Sequence, residues 1–362
     1  MPIKPVQLDQ TAKSFAHSAA HEFQGSSPLY VRLATGISTD PELLALASHA
    51  LSKPVPMIFF AAVHYLLLNG ENHPLAAFYP DINPMPCAVY KNLYPVFQDF
   101  CLKHRYEIKN IISTYHVQTN EVRRCACLLP AFGIAAQEAK GLPLALVEIG
   151  ASAGLNLLWD QYGYDYGNGF LIGNKASHVR LTCTLRGDEQ PPFPKTFPQI
   201  ALRIGIDLHP IDVRDESAVN WLSAFIWPEH AGRFDLLHRA IKIARSNPPE
   251  LRKGNVLELL PDILETVPPG SVLCLFHTFV SNQMSQEVLY DLGNLIANYG
   301  SNYDAWCISI GLSDKYKYPR LEMLSHIDGV ENHMHLANCS GHSRWMEWLK
   351  PVEECGDKLI RR

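Results

Sequence analysis

One stretch of the chain, residues 144–162, constrains the fold more than any other. Residues 144–149 form an apolar run of strand length, and a glycine-containing turn at 150–154 follows directly. After the turn, apolar residues recur at helical spacing as far as Tyr162. The order strand, turn, helix begins a βαβ unit, so the chain is expected to build a parallel sheet.

Two later apolar runs favour the same sheet. Residues 271–276 and 305–310 have strand length, and a helical stretch separates them. This alternation indicates a largely parallel sheet covered on both faces. A polar region with glycine and proline contains the alternating segment 178–187. We expect it to form a hairpin or small lobe, inserted at about 160–200.

The first 141 residues show a different pattern. Their apolar residues recur at spacings of three and four, which predicts helices. Pro130 is expected to kink or end the helix that contains it, because proline has no amide donor. We therefore predict an all-helical N-terminal domain at 1–141 and an α/β domain at 142–362.

Composition limits the class of protein and its partners. Of the 362 residues, 47% are hydrophobic and 19% are charged, which favours a compact enzyme-like chain over a disordered one. The formal net charge is -5 and no basic run is present, so nucleic acid is not an expected partner. The longest apolar run, residues 55–68, is shorter than the roughly 20 residues of a membrane helix, so no membrane association is expected. The N-terminus lacks the pattern of an export signal, which predicts a cytoplasmic protein, and the oligomeric state stays open.

Metal binding is not expected from the cysteines and histidines. The nine cysteines include no CxxC pair, and their odd number argues against a closed disulfide framework. The best candidate ligands are His333, His335, Cys339 and His342. Since the chain has 16 histidines, a His-x-His pair arises readily by chance, and a final strand with exposed imidazoles explains it.

The turn after the first strand carries the candidate chemistry. Small residues at Gly150, Ser152 and Gly154 allow the backbone to approach a ligand closely, and the following helix directs its amides to the same space. Glu148, at the tip of the strand, can accept a hydrogen bond from an amine. Leu155 occupies the place of the third glycine of a dinucleotide fingerprint, which disfavours a nicotinamide cofactor.

This arrangement resembles the first motif of class I S-adenosylmethionine-dependent methyltransferases. The resemblance implies a Rossmann-like, methyltransferase-type sheet, with Glu148 and the turn around the methionine part of S-adenosylmethionine. The segment 203–210 looks like the second strand of such enzymes, which implies that Asp207 binds the ribose. Residues 254–257 match the place after the third strand and imply that Asn255 contacts the adenine, where these enzymes often have Asp.

The spacing of the two acidic residues is unusual for such a site. In this sequence 59 positions separate Glu148 from Asp207, whereas about 20 usually separate the glycine turn from the ribose-binding acid. The insertion at about 160–200 would account for the excess. If it does not, Asp165 is the alternative ribose ligand.

Candidate residues for the reaction and the substrate lie outside the turn. The strand at 271–276 runs into His277, whose imidazole can accept a proton from a nucleophilic substrate near neutral pH. Asn120, Glu121 and Arg123 are candidate substrate-binding residues, although a helix cap, a helix-dipole contact and a surface ion pair explain them equally well. The predicted function is S-adenosylmethionine-dependent methyl transfer to an unidentified small molecule.

At a finer level the chain is similar to a bacterial family of unknown function, domain-of-unknown-function family 2332. The similarity brings no activity with it. It is carried by six stretches, which are residues 73–80, 118–132, 144–167, 203–213, 221–233 and 276–282.

Two other functions stay open. Residues 150–154 satisfy GxSxG, the nucleophile elbow of α/β-hydrolases, which would make Ser152 a nucleophile. That fold requires several strands before the elbow, where this sequence predicts helices. The other alternative is a non-catalytic nucleotide-binding protein that keeps the cleft without turnover.

Overall fold

The chain divides into two compact units. The first consists of residues 1–119 and 211–237, and the second of residues 120–210 and 238–362. This division differs from the expected boundary after residue 141, because each unit combines two separate segments of the chain. The computed structural model describes residues 5–83, 85, 90–167, 169, 171–313 and 315–350.

Helices occur in both units. Helices α7, α10 and α11 belong to the second unit, and α9 contributes residues to both. Within the described ranges, the α-helices in chain order are α1 (Pro5–His17), α2 (Pro28–Ile37), α3 (Pro41–Ala47), α4 (Val55–Leu68), α5 (Leu93–Lys103), α6 (Arg105–Thr114), α7 (Cys125–Glu138), α8 (Glu216–Ala224), α9 (Ala231–Ser246), α10 (Val256–Glu265) and α11 (Gln286–Gly300). Shorter helical turns are Ser18–Glu22, Pro74–Phe78, Tyr90–Asn92, Val122–Arg124, Leu155–Gln161 and Ser281–Gln283.

The described strands belong to the second unit and form two sheets. They are β1 (Leu144–Ile149), β2 (Gly163–Asp165), β3 (Leu171–Gly173), β4 (Arg180–Thr182), β5 (Thr184–Arg186), β6 (Ile200–Asp207), β7 (Glu250–Lys253), β8 (Val272–Thr278), β9 (Ala305–Gly311), β10 (Arg320–Ile327), β11 (Val330–Cys339) and β12 (Trp345–Trp348). The large sheet has the order β5-β12-β11-β10-β9-β8-β1-β6-β7, and the small sheet has the order β3-β2-β4.

Helix starts in the first unit follow local sequence signals. The Asp40 carboxylate accepts hydrogen bonds from two backbone amides at the start of α3, and a proline occupies the first turn. The apolar helix α4 is buried along most of its length, and its Phe59 and Phe60 pack edge-to-face on Phe15 of α1, each at 5.9 Å between ring centroids. In the part of the chain that the structure describes, no helix has the length and apolar character needed to cross a membrane.

Five neighbouring parallel strands form one half of the large sheet, in the order β7, β6, β1, β8, β9. All six residues of β1 are buried, as expected for a central parallel strand covered on both faces. The chain runs from β1 outwards to β6 and β7, and then returns to the other side of β1 to form β8 and β9. The strand order therefore reverses between β1 and β8, which makes this place a topological switch point.

Different helices cover the two faces of this half-sheet. On one face, Ile149 and Leu275 join an apolar cluster that includes residues of α10 and α11. On the other face, the ring of Phe276 lies 5.2 Å from the ring of Phe132 in α7. Since Glu148 is registered with Phe276 across β1 and β8, its side chain points to the α7 face.

Pro130 is predicted to kink or end its helix, and helix α7 continues through it, so the second of these two predictions is wrong. A proline inside a helix leaves the carbonyl four residues earlier without its amide donor. Here that carbonyl belongs to Ala126, and it accepts a hydrogen bond of 2.6 Å from the hydroxyl of Tyr166. A side chain from the inserted region thus replaces the bond that proline removes.

Residues 160–200, where an inserted hairpin or lobe is predicted, contain strands β2 to β5, and the alternating segment is not one strand. The segment breaks at Cys183 into β4, which pairs with β2 in the small sheet, and β5, which pairs with β12 at the edge of the large sheet. The large sheet is mostly parallel, as predicted, and strands β9 to β12 add an antiparallel meander. The lobe therefore connects to the large sheet through β5.

Candidate functional site

The candidate site lies at the carboxyl ends of β1, β6, β7 and β8. Open α/β sheets bind ligands outside the carboxyl ends of their strands, at the switch point. In this sheet the switch point brings the ends of β1 and β8 together, with Glu148 registered opposite Phe276 and Ile149 opposite His277. This edge therefore holds the turn that the sequence singles out.

Glu148 is a buried carboxylate with one oxygen atom satisfied. Its Oε1 accepts a hydrogen bond of 3.0 Å from Nδ2 of Asn156. Its Oε2 is buried and has no hydrogen-bond partner among the described residues. The residue is only 1% exposed. One acceptor of Glu148 is therefore available to a ligand.

Burial controls the charge of Glu148. Loss of solvation raises its pKa to about 8, the Asn156 hydrogen bond opposes this shift, and the charge of Asp207 adds to it. Arg124 lowers the pKa by a smaller amount. At neutral pH the carboxyl group is therefore mostly protonated until a cation or donor reaches it.

The turn after β1 has an unusual backbone. Gly150, Ser152 and Gly154 all have positive φ angles, of 69°, 53° and 68°. The amide of Ser152 donates a hydrogen bond of 2.8 Å to Oδ2 of Asp207, and the other oxygen of Asp207 accepts from the amide of His209 at 2.8 Å. Asp207 thus stabilises a turn whose positive φ angles only glycine adopts readily.

Both glycines of the turn are also required by packing. A Cβ on Gly150 would lie 2.4 Å from Cγ2 of Val280, in the loop after β8. A Cβ on Gly154 would lie 2.7 Å from Cγ of Pro249 and 3.0 Å from a methyl group of Leu251. Protein side chains therefore contact the turn at the two positions that the sequence assigns to a ligand.

The structure brings Glu148, Asp207 and Asn255 to one edge of the sheet. Asp207 is the last residue of β6, the parallel neighbour of β1, and the lobe lies between these strands in sequence. The amide of Gly254 donates to the carbonyl of Asp207 at 3.0 Å, and the Asn255 side chain caps α10. Asp165 lies instead in β2 of the small sheet.

His277 lies at this edge but on the other face from Glu148. It is registered with Ile149 in β1 and with Ser309 in β9, and it alternates with Phe276 along β8. Burial lowers its pKa to about 4, so the imidazole is neutral at physiological pH. Its buried Nδ1 has no hydrogen-bond partner among the described residues. A neutral imidazole retains the capacity to accept a proton.

Of the three candidate substrate-binding residues, Asn120 is hydrogen-bonded to the residue that follows the turn. Its Oδ1 accepts from the amide of Leu155 at 3.0 Å, immediately after Gly154. The Glu121 carboxylate accepts from the amide of Arg123 at 3.3 Å and so caps its own helical turn. Asn120 and Glu121 are both buried.

Among the described residues, Ser152 has no hydrogen-bonded base of the kind that a serine hydrolase requires. Its Oγ is buried and makes no hydrogen bond with any described residue. A nucleophilic serine requires a base within hydrogen-bonding reach. Ser152 has a positive φ between Ala151 and Ala153, and its amide is held by the bond to Asp207.

The described residues contain no group of His, Cys, Asp and Glu side chains that could hold a metal ion. His333 and His335 lie on β11, and Cys339 ends that strand. The seven cysteines in the described ranges are free thiols, and Cys87 and Cys355 fall outside these ranges.

The chain matches the model of one protein family over most of its length. The family described as "Uncharacterized protein conserved in bacteria (DUF2332)" matches residues 12–348. The chain belongs to this family. No curated protein and no solved structure matches the chain.

In this member of the family, three residues of the site were missed by sequence reasoning. Asn156 positions Glu148, and Nη1 of Arg124 donates to Oγ1 of Thr278 at 3.1 Å. The guanidinium of Arg124 also lies 4.4 Å from the ring centroid of Phe279. Strand alternation was a signal that could have identified Thr278. Its side chain shares the sheet face of Glu148, whereas the side chain of His277 does not.

Proposed function

We propose that this protein transfers a methyl group from S-adenosylmethionine to a small molecule, at the carboxyl edge of β1 and β8. The observation that carries the proposal is the buried Oε2 of Glu148, which has no hydrogen-bond partner in the described part of the chain. It lies next to a turn of alternating positive φ angles at the switch point. A carboxylate in this position can accept from the amine of the cofactor's methionine part. The order of the five parallel strands and the acid at the end of β6 support the same proposal.

The residues at the edge fit this cofactor in chemical type. Glu148 supplies an acceptor for the amine, the turn 150–154 supplies small residues, and Asp207 and Asn255 supply polar groups on the neighbouring strand ends. The two amides already bound to the Asp207 carboxylate leave acceptor capacity on its oxygens. When bound, S-adenosylmethionine supplies an electrophilic methyl group on a sulfonium.

The chain's own contribution to catalysis would be alignment and proton acceptance. Holding two reactants in line lowers the barrier without any covalent step on the protein. The neutral imidazole of His277 would take the proton of a nucleophilic acceptor that reaches its face of the sheet, which is the face opposite Glu148. Asn120, Glu121 and Arg123 remain candidates for contacts with the acceptor.

Side chains next to both glycines have to move for this proposal to hold, because Pro249 and Leu251 lie against Gly154 as Val280 lies against Gly150. Val280 lies against Gly150, so a ligand that contacts the Cα of Gly150 displaces it. Val280 belongs to the loop that follows β8, and it packs against the apolar cluster that contains Ile149 and Leu275. We therefore expect ligand binding to move the segment that contains Val280.

The test is calorimetric titration with S-adenosylmethionine and S-adenosylhomocysteine. We expect heat of binding in the wild type and its loss in Gly150→Val and Asp207→Ala. Gly329→Val is the control for the first variant, because Gly329 also has a positive φ, of 75°, but open space around it. Asp304→Ala is the control for the second, because the Asp304 carboxylate also accepts from a backbone amide. Absence of heat in the wild type would refute the proposal.

The alternative functions give different results in the same samples. Labelling of Ser152 by a fluorophosphonate would indicate a hydrolase. Tight binding of the cofactor, with no turnover on a panel of small molecules and no effect of His277→Ala, would indicate a binding protein.

A further inference from the structure

Three buried thiols of the second unit meet at Cys127, and the proposed function does not use them. Cys127 of α7 accepts hydrogen bonds from the thiol of Cys183, between β4 and β5, and from the thiol of Cys339, the last residue of β11. The three residues are 0%, 2% and 0% exposed, and all three are free cysteines. A disulfide requires two sulfur atoms that meet in the folded chain, and this cluster supplies them.

Two further hydrogen bonds hold Cys127 and Cys183 near each other. The hydroxyl of Tyr166 donates at 2.6 Å to the carbonyl of Ala126, the residue before Cys127. The carbonyl of Asp165 accepts from the amide of Cys183 at 3.0 Å. Two consecutive residues of the lobe therefore bridge α7 and the segment that carries Cys183.

Of the two thiols that donate to Cys127, Cys183 has the more adjustable backbone. Cys339 lies inside the large sheet, where its amide donates to the carbonyl of Pro319 at 2.9 Å and its register partner in β12 is Met346. Cys183 lies at the break between two short strands that pair in different sheets. Because the sulfur atoms of a disulfide lie only about 2 Å apart, one residue of the pair has to move, and Cys183 is favoured.

The thiols of the chain differ in how readily they ionise. The hydrogen bonds from Cys183 and Cys339 lower the pKa of Cys127 below the usual range of a thiol, and the same bonds raise the pKa of the two donors. Burial raises the pKa of Cys274 and Cys307, in β8 and β9. Cys127 is therefore the thiol that most readily becomes a thiolate, the form that reacts with oxidants.

The cluster lies close beneath exposed residues. Thr182 and Thr184, on either side of Cys183, are exposed. They belong to β4 and β5, which are edge strands of the small and the large sheet. Short edge segments open locally at a lower cost in free energy than the centre of a sheet. Since hydrogen peroxide is close to water in size, a small opening at Cys183 admits it.

We propose that Cys127 and Cys183 are a modification site, at which hydrogen peroxide forms a disulfide. The Cys127 thiolate attacks one oxygen of the peroxide, the O–O bond breaks, and the hydroxide that leaves takes up the proton that the thiol released. The sulfur of Cys183 then attacks the sulfenic acid on Cys127, so the S–S bond forms and the S–O bond breaks. The hydroxyl group leaves as water with the proton of Cys183. The two thiols lose two electrons, and the peroxide gains them.

The disulfide closes a loop over residues 127–183. This loop contains β1 and the turn 150–154, so oxidation constrains the segment that carries Glu148. The proposal is independent of methyl transfer, because its test measures the state of the thiols and not the binding of a cofactor.

Peptide mapping of the oxidised full chain tests the site. The reduced, folded protein is treated with a small excess of hydrogen peroxide, blocked with N-ethylmaleimide in denaturant, and digested with trypsin without reductant. We expect one cross-linked species, in which peptide 125–140 is joined to peptide 181–186 and two hydrogen atoms are missing from the summed mass. Fragmentation should place the link at Cys127. The buried Cys274 and Cys307 should carry the blocking group.

A variant and a matched control assign the reacting thiol. Cys127→Ser should leave peptide 181–186 without a cross-link. Cys125→Ser is the control, because Cys125 is equally buried on the same helix and its thiol donates to Oδ1 of Asn156 at 3.3 Å. This control should form the cross-link to the same extent as the wild type.

Three results would overturn the proposal. The first is the absence of the cross-link in the wild type, a measurement that does not depend on the folding of any variant. The second is a link from Cys127 to Cys339 in place of Cys183. The third is oxidation of Cys274 and Cys307 to the same extent, because oxidation would then follow general opening of the chain and not the contacts of this cluster.

Discussion

The amide of Ser152 donates a hydrogen bond of 2.8 Å to the carboxylate of Asp207, although the two residues are 55 positions apart. This bond joins the turn after β1 to the end of β6. It stabilises the positive φ of Ser152, so the shape of the turn depends on a neighbouring strand as well as on its own glycines.

Removing the Asp207 carboxylate should destabilise the protein. Asp207→Ala leaves the amides of Ser152 and His209 without their acceptor, and we expect a loss of about 2 kcal/mol in the free energy of unfolding. Chemical denaturation measures it. Asp304→Ala, which removes an acceptor from only one amide, should cost less, and an equal cost in both variants would contradict the role assigned to Asp207.

The charge of Glu148 should make stability depend on pH. Its pKa rises from 4.5 to about 8 on folding, so the folded state holds the proton more tightly than the unfolded state. The stability that this proton contributes is complete below pH 4.5 and is lost as the pH rises through about 8.

The variant Glu148→Gln isolates this effect, because glutamine has the shape of the protonated acid and does not titrate. The difference in unfolding free energy between wild type and Glu148→Gln should change by up to several kcal/mol between pH 5 and pH 8, with the wild type losing stability as the pH rises. Glu258→Gln, at an exposed carboxyl in α10, is the control. A constant difference across this range would contradict the assigned burial of Glu148.

Gly150 and Val280 should show an energetic coupling. Gly150→Ala places a Cβ at positive φ and 2.4 Å from Cγ2 of Val280, so we expect a loss of about 3 kcal/mol in the free energy of unfolding. Val280→Ala should recover the part that comes from the clash and leave the part that comes from the backbone. A double-mutant cycle by denaturation measures this coupling, and strict additivity would show that the two residues do not touch.

Tyr166 and Pro130 should also be coupled, through the carbonyl of Ala126. Tyr166→Phe removes the hydroxyl that satisfies this buried carbonyl, and we expect a cost of about 1–3 kcal/mol. In the Pro130→Ala background an amide becomes available to the same carbonyl, so the cost of Tyr166→Phe should fall. Denaturation of the four proteins measures the coupling, and an unchanged cost would show that the Tyr166 hydroxyl does not replace the missing amide.

Much of the local structure was readable from the sequence. The apolar run and glycine turn at 144–154 predicted β1 and its turn, because a buried parallel strand requires continuous apolar residues and a tight turn requires glycine. The two later apolar runs predicted β8 and β9 for the same reason. The polar segment with glycine and proline at about 160–200 predicted an insertion, and strands β2 to β5 lie there.

Other features depended on residues far apart in the chain. Helix α7 passes through Pro130 because Tyr166, 36 positions later, supplies a hydrogen bond that no local pattern contains. The segment 178–187 looks like one strand, yet it divides between two sheets because β4 and β5 have different partners. Neither the contact of Val280 with Gly150 nor the choice of Arg124 as the partner of Thr278 has a signal in spacing or composition.

The sequence by itself therefore determined which segments form the central strands and where the candidate turn lies, since burial and backbone freedom act over a few neighbouring residues. Only the tertiary structure decided which side chains meet at the edge of the sheet and how they are charged. The pKa of Glu148 shows the reason, because its shift comes first from burial and then from Asn156, Asp207 and Arg124, which only folding brings near.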